Sequence, residues 1–324
     1  MLMENTRDML ADAKFFEAYS RYKDEEGSYE SWDESVKRVM DMHRTKYDHF
    51  MTEELKVAID FAEAHYKKKN ILGAQRCLQF GGEQILKHQI KVYNCVSSYC
   101  DRSAFFGEFM YMLLCGAGAG FSVQHHHIAK LPKVVKRSAR AKTFTIPDSI
   151  EGWAQSINVL MSSYLEDGGV ERKYKGCHIS FDYSKIRPKG AYISGGFKAP
   201  SAEPLRKAHG LIESLLEQVV TGGGTINSIV AYDICMHIAD AVISGGVRRS
   251  ATITLFSHDD QDMLTAKVGD WFTENPQRGR SNNSAVILRD EITWEEFSPI
   301  MENIKTQGEP AFVFTDSKEF TFNP

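Results

Sequence analysis

Long apolar runs are missing from this chain. No stretch of its 324 residues approaches the ~18 uninterrupted apolar residues of a membrane-spanning helix. The N-terminus, MLMENTRDMLADAKFF, carries acids among its first residues and has no apolar signal core. Cysteine is sparse, with six residues and no C-x-x-C pair, which argues against a secreted disulfide framework. Neither charge sign dominates: 39 Lys and Arg against 43 Asp and Glu leave a net charge of −4, which gives no electrostatic footprint for nucleic acid. There is also no internal repeat and no low-complexity linker. These absences predict a cytoplasmic protein with no membrane and no nucleic-acid partner. What is present, 42% hydrophobic and 25% charged residues, is the balance of a globular protein. The length allows one large domain, or a large one with a smaller companion.

Residues 1–90 read as a mainly helical region. Ser31 with Glu34 fits a capping box, followed on one face by Trp32, Val36, Val39 and Met40. Thr52 can cap a second helix with Leu55, Ile59, Ala62 and Tyr66 facing inward. Phe15, Phe16, Tyr19 and Tyr22 are expected to pack this layer together.

Residues 91–324 change texture to alternating strands and helices, which favours an α/β domain. Residues 91–99, KVYNCVSSY, suit a strand, and 105–114 a helix closed by Gly116, Gly118 and Gly120. Asp148 with Glu151 is expected to box the next helix, with Trp153, Ile157, Leu160 and Tyr164 as its stripe. Pro204 suits the first turn of another, with Leu205, Ala208, Leu211 and Leu215 inward. Ile234, Ile238 and Val242 belong to a helix stopping at Gly245 and Gly246. In the following 250–256 segment, Ala251, Ile253 and Leu255 alternate with polar residues. Thr293 and Glu296 box the last helix, and 311–314 read as a buried strand.

Taken singly, the chemical motifs are weak. GAGAGF at 116–121 has helix, glycines and strand in the wrong order for a dinucleotide fingerprint. Two readings remain for it: a helix C-cap into a tight turn, or bare backbone that lets a phosphate or ribose approach. TGGGT at 221–225 lacks the Gly-Lys-Ser/Thr of a P-loop and reads as a flexible connection. Read as a strand, His125, His126 and His127 point to alternating faces with no carboxylate or cysteine at ligand spacing, so no metal site is predicted. Cys95, beside Asn94 in a predicted strand, stands out. Cys77, Cys100, Cys115, Cys177 and Cys235 read as packing.

In combination the motifs are specific. KVYNCV, GAGAGFSV, SGGFKAPSAEPL, AVISGGVRRSATITL, RSNNS, and GEPAFVF leading to FNP occur in one order. Together they resemble the catalytic chain of ribonucleotide reductase. GGVRRSA and SNNS point to the adenosylcobalamin-dependent class II enzyme, and FFEAYSRY to its monomeric, triphosphate-using branch. The alternatives are a class I large-subunit fragment and a non-catalytic nucleotide-binding remnant.

The resemblance implies a helical N-terminal region plus about half of a ten-stranded α/β barrel, ending at the base of a finger loop. It implies Cys95 as one member of a redox-active pair, with Asn94 and the backbone of Gly118, Ala119, Gly120 and Phe121 as substrate contacts. Ser194, Gly195, Gly196 and Lys198 would form a loop linking a deoxynucleotide effector to substrate choice. Asn323 and Pro324 match the start of the finger-loop motif, with Asn323 positioning the ribose. The thiyl-forming cysteine would follow Pro324. The chain is thus expected to be inactive alone and completed by a C-terminal part, the break being a splicing junction or a truncation. Adenosylcobalamin, with most of its contacts outside this chain, a ribonucleotide substrate and a thioredoxin-like or dithiol reductant complete the expectation, which is deoxyribonucleotide synthesis.

Overall fold

Five strands, all parallel, form the central sheet of the computed structural model. Their order is Ala311–Thr315, Ser281–Leu288, Thr252–Ser257, Gly118–Ser122 and Cys95–Tyr99. Parallel neighbours need crossover segments, and helices supply them: Phe105–Leu114 joins the first two strands in chain order. The structure describes residues 2–193, 197–242 and 251–317. It divides into two units: the described parts of Met1–Asn94 with Tyr192–Lys198, and of Cys95–Ala191 with Ala199–Pro324.

In the first unit, Ser31 caps the helix Trp32–Tyr47 in the expected box with Glu34, and Thr52 accepts from Leu55 N to cap Glu53–Lys67. Val36, Val39, Met40, Ile59 and Tyr66 bury against Cys77, Leu78, Phe80 and Ile85. The aromatic layer is narrower than expected. Phe15 is buried edge-on to Trp32, while Phe16 and Tyr22 are exposed.

In the second unit, one face of the sheet is covered by helices. Ala119, Phe121, Phe256, Ala285 and Ile287 belong to its core, and the rings of Phe105 and Phe109 lie 5.7 and 5.0 Å from that of Phe121. Several expectations shift here for identifiable reasons. The first strand begins at Cys95 rather than 91, because its pairing starts at Cys95–Gly118 and the chain before it turns as the short 3-10 helix Gln89–Val92. Ser149, not Asp148, caps Ile150–Tyr164 by accepting from Gly152 N, leaving Asp148 to accept from Arg187 Nε at 2.7 Å. Pro204 does sit in the first turn of Glu203–Thr221, but the buried stripe runs Leu205, Ala208, Ile212, Leu216, and Leu211 is exposed.

The strand Thr252–Ser257 is buried on both sides rather than alternating, with Leu255 and Phe256 buried as well. Thr252 and Thr254 are buried, with hydroxyls bonded to Arg280 O at 2.7 Å and Ser281 Oγ at 2.8 Å, while Ile253 is half-buried. The strand Ala311–Thr315 is not buried. Among the described residues it pairs only with Ser281–Leu288, and Phe312 and Phe314 rest on Phe297 and stay 37% and 38% exposed. The glycines at 222–224 are pinned rather than loose. Val134 N donates to Gly224 O at 2.7 Å, and a Cβ on Gly224 would stand 2.6 Å from Val134 O.

Candidate active site

Alternation along a strand assigns each residue to one side of the sheet. Phe121 and Ala119 go to the helix-covered side with the core. Cys95, Ser97, Gly118, Gly120, Ile253 and Asn282 therefore share the other side. Register lines up Cys95 with Gly118 in one row, and Ser97, Gly120, Ile253 and Asn282 in the next. Ser97 and Asn282 are exposed, Cys95, Gly118 and Ile253 are half-buried, and Gly120 is buried. The row beyond is closed: Ser122, Leu255 and Ser284 are buried. The result is a shallow shelf two rows deep, floored by side-chain-free backbone and bearing one thiol, one hydroxyl and one amide. None of its residues is charged.

GAGAGF divides at this shelf. Gly116, at φ +82°, closes the helix by donating to Leu113 O, whereas Gly118 already lies in the strand. The C-cap reading holds for Gly116, while Gly118 and Gly120 belong to the strand. Ala119 and Phe121 turn inward, so only their main chain could meet a ligand.

Buried polar contacts fix the start of the Ser281–Leu288 strand. Lys267 donates to Ser281 O and pairs with Glu309 at 2.7 Å; burial pulls its ammonium pKa down, and Glu309 only partly offsets this. Asp233 takes Arg278 in a two-pronged pair, Nε to Oδ1 at 2.9 Å and a terminal nitrogen to Oδ2 at 2.7 Å. Tyr232 donates its hydroxyl to Arg278 O at 3.1 Å, and its pKa is pushed up chiefly by burial.

The histidine triplet forms one helical turn, His125–Ile128, rather than a strand. Its residues diverge. His127 is buried, with Nδ1 2.9 Å from Ser122 Oγ and its ring 4.3 Å from that of Tyr99. His125 is exposed, 3.3 Å from Asp259. Among the described residues no group of three or more His, Cys, Asp or Glu could hold a metal ion.

Asn94 belongs to the first unit and helps line a cleft of about 490 Å³ with Lys14, Tyr19, Gln75, Arg76 and Gln79. Lys198 is exposed in the strand Phe197–Lys198, antiparallel to Tyr192–Ile193. Ser194, Gly195, Gly196 and Asn323 fall outside the described residues, as do Gly245 and Gly246. The five cysteines read as packing are all buried. Asn282 and Ser97 were not singled out from the sequence. For Asn282 the signal was the polar SNNS run opening an otherwise apolar strand, whose sidedness only the register reveals.

No family model matches the chain. Among curated proteins it is 30% identical over 360 aligned residues to the adenosylcobalamin-dependent ribonucleoside-triphosphate reductase of Lactobacillus delbrueckii subsp. bulgaricus, covering 92% of this chain and 47% of that one. The Euglena gracilis protein of the same name is 25% identical, covering 96% of this chain and 43% of its own. A crystal structure of a B-12 dependent (class II) ribonucleotide reductase superposes with a TM-score of 0.79 at 24% identity, over 95% of this chain and 49% of that one; this is a likeness of fold. No helix among the described residues is long and apolar enough to cross a membrane. Over nearly all of its length the chain is a homologue of the adenosylcobalamin-dependent ribonucleoside-triphosphate reductases, and it spans about half the length of those relatives.

Proposed function

We propose that this chain supplies the helical region and half of the ten-stranded barrel of an adenosylcobalamin-dependent reductase that converts ribonucleoside triphosphates to 2′-deoxyribonucleotides. The observation that carries this reading is the uncharged shelf with the half-buried Cys95 thiol at its edge, beside Gly118. A ribose can lie flat on bare backbone there, with its C2′ edge toward the sulfur.

The chain's own contribution to the chemistry is then that of a reductant. Cys95 and a second thiol, outside this chain, lose two electrons and two protons as their disulfide forms. Those electrons and protons replace the 2′-hydroxyl by hydrogen and release it as water. A dithiol or thioredoxin-like protein restores the thiols. Asn94 and Asn323 are proposed to orient the ribose, and Ser194, Gly195, Gly196 and Lys198 to answer a deoxynucleotide effector. Adenosylcobalamin, when bound, supplies the radical that starts the sequence. The shelf's small neutral side chains fit the approach of an adenosyl group, and the remaining cofactor contacts are proposed to lie mainly outside this chain.

The test is reduction of ribonucleoside triphosphates by this chain together with a polypeptide covering the remaining length of the relatives, with a dithiol present. Deoxynucleotide is expected only when adenosylcobalamin is added, and is expected to disappear in Cys95→Ser. Reduction that survives without the cofactor, or in Cys95→Ser, overturns the proposal.

A further inference from the structure

Asn282 has an environment unlike the rest of its strand. Ser281 and Asn283 on either side are 3% and 2% exposed, yet Asn282 is exposed. Asn283 faces the helix-covered side, since it is buried and shares a row with the buried Thr254 and Phe121. Asn282 must therefore project from the opposite side, onto the shelf. It shares a row with Ser97, Gly120 and Ile253. With parallel strands ~4.8 Å apart, it stands roughly 10 Å from Gly120 and roughly 14 Å from Ser97.

This amide is also firmly held from behind. Lys267 on Ser281 O, the Asp233–Arg278 pair and the Thr254–Ser281 hydroxyl contact all fix the backbone just before it. An exposed polar side chain on a backbone held by buried polar contacts is a preorganised contact. Its chemistry selects its partner. A neutral amide offers donors and an acceptor together, which matches the edge of a nucleobase. A triphosphate would call for cations, and no residue of the shelf carries charge.

We infer that Asn282 is a specificity-determining residue that hydrogen-bonds the base edge of the ribonucleotide, while the base plane rests on the half-buried Ile253 and the ribose lies toward Cys95. The inference rests on the reductase reading above and adds the direction in which the nucleotide lies across the strands.

Titration calorimetry of this chain with ATP, GTP, CTP, UTP and inorganic triphosphate tests it, alongside thermal melts. Loss of one hydrogen bond in Asn282→Ala is expected to weaken nucleotide binding roughly 3- to 10-fold. The loss should be unequal among the four bases, with inorganic triphosphate unchanged and the melting temperature preserved. Asn282→Asp, which only accepts, should shift preference toward bases presenting an amino donor. Equal affinities for wild type and Asn282→Ala, or a uniform loss that includes inorganic triphosphate, would overturn the inference while leaving the reductase reading standing. A wild-type chain that binds none of the four nucleotides would overturn both.

Discussion

Removing the carboxylate of Asp233 should be among the most damaging single changes in this chain. Asp233 is 7% exposed, and the Arg278 side chain is 14% exposed. The carboxylate accepts two guanidinium bonds, at 2.9 and 2.7 Å, and one from Gln277 Nε2 at 3.3 Å. Burial acts to lower the Arg278 pKa, but Asp233 outweighs it and the net shift is upward. In Asp233→Ala the guanidinium keeps its bond to Ala266 O at 2.8 Å but loses its counter-charge in a desolvated place. Stranding a buried charge costs about 3–5 kcal/mol. For a unit of this size each kcal/mol moves Tm by about 2–4 °C, so a fall of roughly 6–20 °C is expected by circular dichroism. The paired replacement Asp233→Leu with Arg278→Met removes both charges and should recover most of that loss. A single mutant that melts within about 3 °C of wild type, or a double mutant worse than the single, would refute this account of the pair.

Three further changes test other parts of the fold. His209 is buried between Ser156 Oγ at 2.9 Å and Tyr183 OH at 2.7 Å, and burial lowers its pKa to about 3. With the folded pKa depressed below the unfolded ~6.5, its contribution is complete above that pH and is lost as pH falls toward 3; at pH 5 about 2 kcal/mol should be gone. Urea midpoints at pH 7 and 5 should therefore separate more in wild type than in His209→Gln. Gly107 lies where the helices Phe105–Leu114 and Ile150–Tyr164 meet, and a Cβ there would fall 2.3 Å from Asn158 Oδ1; Gly107→Val should lose about 1–3 kcal/mol in urea melts. Thr293→Ala removes the cap from Trp294–Gln307 and should lower stability by about 1 kcal/mol, detectable as a lower urea midpoint.

Much of the local structure was legible in the sequence because it depends on near neighbours. The capping boxes Ser31–Glu34 and Thr293–Glu296 span three residues each and formed as their chemistry requires. The 105–114 helix was bounded by its own apolar run and the glycine that follows. Cys95 and the 118–121 segment were likewise recognisable from order and residue type. Strand sidedness was not legible. Thr252 and Thr254 looked like surface residues until their hydroxyls found Arg280 O and Ser281 Oγ, partners supplied where a distant 3-10 turn runs into the neighbouring strand.

The sequence by itself determined the alternation of strands and helices, the caps, and the likeness to reductases, since each is written in contiguous residues. Only the tertiary structure decided that Cys95, Ser97 and Asn282 share one open face. They are separated by up to 187 positions, yet parallel pairing brings their strands into one sheet and the two-residue strand period turns all three the same way. A slip of one residue in any of those registers would reverse that, and no local signal guards against it.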